Sequence, residues 1–158
     1  MKKKVKKDFN YIWEIIEISI YIVVGYSILD MAFSVSTYVN KVIPAGIFSI
    51  LLTVFAFGLI GYKAVRQKEE PSQIARYGAY AGAIVGLASA IIGFVIFYFY
   101  PEKIAAALQQ AAQAGADTAM IQSVMKIMIY VNFVLSPAIN AGIGALFAWI
   151  SGLIFKKK

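Results

Sequence analysis

Six polar side chains in otherwise apolar surroundings are the candidates for chemistry in this sequence. They are Glu14, Glu17 and Asp30 near the start of the chain and Asn132, Ser136 and Asn140 near its end. An ionised carboxylate at the centre of a lipid bilayer costs about 2.5–3.5 kcal/mol, so such a group usually meets a polar partner or water. If the surrounding segments cross a membrane, these six residues predict a polar path for protons or cations.

The depth of the three acids depends on the register of the first apolar segment. Glu17 and Asp30 bracket twelve uncharged residues, which cover only ~18 Å as a helix, against ~30 Å of hydrocarbon. A span over residues 12–31 places the acids near its two rims, where they have a structural role. A span over residues 18–39 places Asp30 near mid-bilayer, with residues 9–17 along the inner surface. Both registers fit the pattern, and we place the span at about residues 12–34.

The polar residues near the C-terminus share one face of a helix because they recur every four residues. Pro137 lies among them and leaves the carbonyl oxygen of Phe133 without its helical partner. Amide groups and a free carbonyl inside a bundle can line a polar path. They can equally hydrogen-bond between helices, at ~0.6 kcal/mol each on average. The spacing does not decide between these two functions.

The chain contains no cysteine and no histidine. Disulfides, thiolate or imidazole metal ligation and histidine-dependent nucleophilic catalysis are therefore excluded. The acidic residues form no cluster typical of a cation site. We accordingly expect no catalytic residues, no metal site and no cofactor, and we expect that the protein is not an enzyme.

Long apolar stretches define the elements that would position the candidate residues. The sequence is 61% hydrophobic, well above the ~45–50% of soluble domains. Each predicted span reaches about the 20 residues that a membrane-crossing helix requires. We predict an all-α integral membrane four-helix bundle forming a single domain over residues 1–158. The predicted spans are residues 12–34, 43–62, 76–100 and 127–155, and a helical arm outside the membrane, at about 102–126, contains a short amphipathic helix.

The basic residues are distributed unevenly between the two sides of this predicted bundle. Of fifteen Lys and Arg residues, twelve lie at the two termini or between spans two and three, and three lie on the other side. Positive charge marks cytoplasmic segments, so both termini are predicted to lie in the cytoplasm, with the chain in the cytoplasmic membrane. The same residues are placed to contact anionic lipid headgroups. The net charge of +7 comes with no nucleic-acid motif, so nucleic acid is not an expected partner.

Small residues recur at helical spacing in the third and fourth spans, and such residues let helix backbones approach closely. They predict a glycine zipper whose partner is a helix of the same chain or of another copy. Its members are Gly78, Gly82, Gly86, Ala90, Gly93, Gly144 and Gly152.

The segments of the C-terminal half follow one another in a distinctive order. A Gly/Ala-rich span ends in aromatic residues and Pro101-Glu102. A Gln/Ala-rich helix, a stretch holding Met120, Met125 and Met128, a Gly-rich span and terminal lysines follow. This half resembles a family of small four-span bacterial and archaeal membrane proteins of unknown function. The resemblance implies a four-helix membrane unit and brings no activity or site with it.

Two functions follow from the sequence as hypotheses. The first is a non-enzymatic accessory or scaffold subunit that associates through small-residue helix faces, as a homo-oligomer or in a larger membrane complex. The second is a small oligomeric transporter or channel that uses the intramembrane carboxylate and the polar residues of span four.

Overall fold

The computed structural model describes residues 9–113, 115 and 117–156, and this part of the chain is helical without any strand. Proline or an N-terminal cap begins several helices, and residues with positive φ end others. The helices are α1 (Phe9–Phe33), α2 (Val35–Val39), α3 (Ala45–Arg66), α4 (Pro71–Phe99), α5 (Pro101–Gln113) and α6 (Thr118–Lys156).

Four of these helices, α1, α3, α4 and α6, are long and apolar enough to cross a membrane. The prediction of an all-helical chain with four such helices is confirmed, and it is consistent with a multi-pass membrane protein. The helices extend beyond most of the predicted spans because a helix continues past the hydrocarbon into its charged flanks. In α3, for example, Lys63 and Arg66 form the last turn.

The four long helices form a bundle in which neighbours along the chain run in opposite directions. The most extensive contact joins α4 to α6, while α3 packs against α1 and α6 and also touches α4. Among the described residues, α1 and α6 make no contact with each other, so they occupy opposite corners. We call the end with the α3–α4 connection the link end, and the end with α2 and α5 the arm end.

The core of the bundle lies toward the link end. Its largest fully buried side chains are Phe57, Ile60 and Tyr77, which pack with Ile15 and Ile16 of α1. Toward the arm end, by contrast, large apolar side chains on all four long helices are exposed. The buried core is therefore concentrated toward the link end, although outward-facing apolar side chains such as Phe9 and Ile154 are exposed there as well.

A tight connection fixes the link end. Lys68 has φ 59°, the amide of Glu69 donates to the carbonyl of Ala64 at 3.0 Å, and the amide of Lys68 donates to Val65 at 2.9 Å. This pair of bonds is the Schellman motif, which satisfies carbonyls at a helix end. Glu69 is buried and accepts a hydrogen bond from the Tyr11 hydroxyl, so the connection is also tied to α1.

The bounds of α1 bear on the two registers considered for the first span. α1 runs without interruption from Phe9 to Phe33 and ends before Ser34, whose φ is 51°. Residues 18–39 do not form one continuous helix, because the chain breaks at Ser34 between α1 and α2. The short helix α2 that follows this break was not predicted.

Gly115 and Asp117 define the connection from α5 to α6. Gly115 has φ +80°, a conformation that costs glycine little. The Asp117 carboxylate accepts hydrogen bonds from the amides of Ala119 at 2.9 Å and Met120 at 3.2 Å, which caps α6. α6 then continues as one helix of 39 residues that includes Pro137.

Candidate functional site

Asp30 lies one turn before the end of α1 and faces a groove at the arm end. Its carboxylate accepts a hydrogen bond from the backbone amide of Ser36 at 2.6 Å, in the first turn of α2. The carboxylate therefore caps α2 across the break at Ser34. The groove between α1, α2 and α4 has a volume of about 450 Å³ and is lined by Ser27, Asp30, Met31, Ser34, Ser36, Thr37, Ile92 and Ile96.

Glu14 and Glu17 lie toward the opposite end of α1. Sixteen residues separate Glu14 from Asp30, or ~24 Å along a helix. Glu14 is exposed and Glu17 is half-buried, and the Lys63 ammonium group donates to the backbone carbonyl of Glu14 at 2.8 Å. The three acids therefore do not share a site in this fold.

The polar residues of α6 do not form one continuous surface. Asn132 lines a groove of about 330 Å³ between α4, α5 and α6, whereas Asn140 lines a groove of about 270 Å³ between α3 and α6. Ser136 lies between them and is buried. Each step of four residues turns about 40° around a helix. Residues at this spacing therefore shift gradually around α6, from one groove to the next.

The side chain of Asn140 is directed back to its own helix. Its amide nitrogen donates to the backbone carbonyl of Ser136 at 2.9 Å and lies 3.3 Å from the Ser136 hydroxyl. Since α1 does not contact α6, Asp30 and Asn140 are not brought together. The six predicted path residues thus lie in separate places, and a path through one copy of the chain has no continuous polar lining.

The small residues of α4 are packed against α6 of the same chain. A Cβ atom added to Gly82 would lie 2.6 Å from the carbonyl carbon of Asn140, and one added to Gly86 would lie 2.6 Å from Pro137 Cα. Gly78 and Gly144 face each other in the same way. Ala90 is buried, and a Cβ on Gly152 would contact Ile74 of α4. Gly93 differs, because an added Cβ would meet nothing within 4 Å.

Three further packing residues were not identified from the sequence. A Cβ atom added to Gly61 of α3 would lie 2.5 Å from the carbonyl oxygen of Ala148. Ser19 donates from its hydroxyl to the carbonyl of Ala56 at 2.6 Å, and Ser151 donates to Gly58 at 2.7 Å. A small or hydroxyl residue inside an apolar span was the available signal, because such residues join membrane helices.

Aromatic side chains join α4 and α6 near the arm end. The hydroxyl groups of Tyr98 and Tyr130 lie 2.9 Å apart, and the rings of Phe94 and Phe133 meet edge to face at 6.2 Å. Tyrosines are typical of the membrane–water interface. This pair joins α4 and α6 at the level where the predicted third span ends.

Open grooves between the helices are the main surface features of the described residues. Among the residues that the structure describes, no three His, Cys, Asp or Glu side chains lie close enough to hold a metal ion. The fold offers three open grooves: two are lined mainly by apolar side chains, and the third, at Asp30, is lined mainly by polar ones.

Comparison with known proteins provides no relative for this chain: no family model, no curated protein and no solved structure matches it.

Two substitutions of Asp30 distinguish the effect of its charge from the effect of its hydrogen bond to α2. We expect Asp30→Ala to increase amide exchange over Val35–Asn40, since losing an N-cap acceptor costs about 0.5–2 kcal/mol. Asp30→Asn keeps an acceptor oxygen and should leave exchange nearly unchanged. Hydrogen–deuterium exchange of the detergent-solubilised protein measures both. Equal acceleration in both variants would mean that the charge, and not the hydrogen bond, orders this segment.

Proposed function

We propose that this chain is a non-enzymatic accessory or scaffold subunit of a larger complex in the cytoplasmic membrane, and that it binds its partner at the arm end. The uneven packing of the bundle carries the proposal. Phe57, Ile60 and Tyr77 fill the core toward the link end, whereas open grooves lie between the helices toward the arm end. A closed core maintains the fold, and the open end leaves helix surfaces free for another protein.

The groove between α4, α5 and α6 is the best supported contact surface. We call it the methionine groove, and it is lined by Gly93, Phe97, Ile104, Met125, Met128, Ile129 and Asn132. Methionine is flexible and polarisable, which suits a surface that must adapt to a partner helix. The glycines of α4 that pack against α6 are not available for this purpose, so the contact shifts from small-residue faces to this groove.

The charges support an orientation with the link end in the cytoplasm. Lys63, Arg66, Lys68 and Arg76 lie near the link end, whereas the arm end carries Lys41, Lys103 and Lys126. The N-terminal lysines precede α1, which begins at the link end, and the C-terminal lysines lie at or after the end of α6, which ends there. The positive-inside rule then places both termini in the cytoplasm, with anionic headgroups beside the link end. α5 and the start of α6 would form an arm outside the membrane.

An oligomeric transporter or channel is the second candidate, and the groove at Asp30 is the observation that favours it. A carboxylate, three serines and a threonine line this volume, and a further copy of the chain would have to complete a path. Asp30→Asn discriminates between the two functions. It should abolish flux through a transporter and leave a subunit's assembly intact, because the amide retains the acceptor oxygen.

The composition of the purified complex tests the subunit function. Tagged protein is extracted from its native membrane in mild detergent and weighed by native mass spectrometry, as the unmodified chain, Gly93→Leu and Gly25→Leu. Both glycines have open space where a Cβ would lie, but only Gly93 lines the methionine groove. We expect a second protein in stoichiometric amounts with the unmodified chain and with Gly25→Leu.

Filling the groove with Gly93→Leu should reduce the retained partner about tenfold, which corresponds to about 1.4 kcal/mol of binding free energy. A chain that copurifies with no other protein would contradict the proposed function. A partner that Gly93→Leu retains in full would contradict the groove as its binding surface.

A further inference from the structure

An exposed apolar stripe runs along α6 on the side facing away from α4. Met120, Val124, Ile127, Val131 and Val134 recur at alternating intervals of four and three residues, and all five are exposed. We call these residues the α6 stripe. The residues that face α4, such as Ser136 and Gly144, lie about half a turn away from it. The stripe is thus an unpartnered face of the helix that makes the largest contact in the bundle.

The length of α6 places the start of this stripe outside the hydrocarbon. A helix of 39 residues is ~58 Å long, against ~30 Å for the hydrocarbon core. The basic residues Lys63, Arg66 and Lys156 fix the link end at one interface, so the excess length lies at the arm end. Lys126 and the Tyr98–Tyr130 pair lie where α6 would leave the hydrocarbon at the arm end, and such residues are typical of an interface.

Lipid therefore does not account for the exposure at the start of the stripe. Met120 is 67% exposed and Val124 is 48% exposed, and both precede residue 127, where the predicted fourth span begins. Apolar side chains in a row on a helix facing water are typical of an interaction surface.

We propose that the α6 stripe is a self-association surface that pairs with the same stripe of a second copy, as two parallel helices. Alternating steps of three and four residues are the repeat by which two helices interlock their side chains. Two copies inserted in the same orientation hold their α6 helices parallel and at the same height, so each stripe faces itself across a two-fold axis. No charged residue lies within the stripe, and Lys126 is on another face, so no like charges oppose the pairing.

The same face continues into the membrane with small residues. Ala138 and Gly142 extend the stripe at a spacing of four, both are exposed, and a Cβ added to Gly142 would meet nothing within 4 Å. Two small residues at this spacing let membrane helices approach closely. The face thus has apolar interlocking residues where water is present and small residues where lipid is present, as a continuous helix pair requires.

This pairing does not depend on the proposed function. Of the α6 residues that line the methionine groove, Met125, Ile129 and Asn132 lie on a different side of the helix, and Met128 lies between the groove and the stripe. A copy can bind a different protein in its groove and a second copy along its stripe. The masses of the two complexes separate the outcomes, because self-pairing alone gives twice the chain mass of 17.3 kDa.

Single cysteines provide a direct test, because the natural chain contains none. Val124→Cys and Ile127→Cys are placed on the stripe, and Gln122→Cys and Lys126→Cys serve as controls at exposed positions of the same segment. Each variant is oxidised in intact membranes with copper phenanthroline. A disulfide requires Cα atoms within about 7 Å, so identical residues link only near the two-fold axis.

We expect a linked dimer from both stripe positions, in several-fold excess over both controls. Equal yields at all four positions, or no linked dimer at any, would overturn the proposal. Maleimide labelling then identifies what the face does instead. Free reaction at Val124→Cys would indicate a bare face, and protection without a disulfide would indicate lipid or a different protein, each of which also contradicts self-pairing.

A charge variant tests the same surface without oxidation. The double substitution Val124→Glu and Ile127→Glu should shift the chain from dimer to monomer in native mass spectrometry, with its helical circular dichroism unchanged. Gln122→Glu adds a charge to the same segment off the stripe and should leave the dimer intact. A dimer that persists in the double variant would overturn the proposal, and if that variant fails to fold, the crosslinks decide.

Discussion

Replacing Gly82 with alanine is expected to force α4 away from α6 and to lower the free energy of unfolding by about 3 kcal/mol, at the upper end of the 1–3 kcal/mol typical of overpacking. The added Cβ would lie 2.6 Å from the carbonyl carbon of Asn140 and 2.9 Å from Ala141 Cα. Both are backbone atoms of a helix, so no side chain can rotate away, and relief requires the two helices to separate.

Gly93→Ala is the matched control on the same helix. Its new methyl group would meet nothing within 4 Å, and alanine favours a helix over glycine by up to about 1 kcal/mol. Stability of both variants is measured as reversible unfolding in mixed detergent micelles, followed by circular dichroism. If Gly82→Ala were as stable as Gly93→Ala, α4 and α6 would not approach each other as closely as the structure has them.

The contrast between these two glycines shows what the sequence could predict about packing. Spacing placed Gly82 and Gly93 close together on one predicted helix, and both were assigned to packing. Whether a glycine faces a backbone or open space depends on where the partner helix ends its close approach. The distance between the two helix backbones depends on both helices, so it cannot be predicted from the spacing of residues within one of them.

The membrane spans were predictable for a different reason. A bilayer has a fixed thickness, so a helix that crosses it must be about 20 residues long and apolar throughout. The start of α4 at Pro71 and the cap at Asp117 follow equally local rules. α2 escaped prediction because five residues carry no periodic pattern, and its cap, Asp30, comes from the preceding helix.

The candidate path could not be assembled from the sequence because hydropathy does not order helices around a bundle. Asp30 and Asn140 looked like partners as polar groups in apolar spans. In the fold, α1 and α6 occupy opposite corners, and each polar group has found a nearer backbone partner. Nearby backbone groups can satisfy such side chains, as they do for Asp30 and Asn140, so polarity alone does not identify a partner on another helix.

Replacing Phe57 with alanine should destabilise the bundle strongly, because this side chain fills the core at the link end. Phe57 is fully buried and packs among residues of the core cluster that include Ile60, Tyr77 and Ala148. Large-to-small changes in cores cost about 2–5 kcal/mol, and part of this cost is the cavity that remains. Inside a membrane the loss of contacts dominates, since lipid is as apolar as the core, so we expect about 2–3 kcal/mol.

Phe55→Ala is the control for this prediction, because Phe55 belongs to the same helix but is 60% exposed. It removes the same atoms from a side chain that has few packing partners, and the free energy of unfolding should change by less than about 1 kcal/mol. Both variants are compared with the unmodified chain in the same micelle unfolding assay. Equal losses for the two phenylalanines would mean that burial at the link end does not stabilise the fold, and the packing of α3 against α4 and α6 would have to be revised.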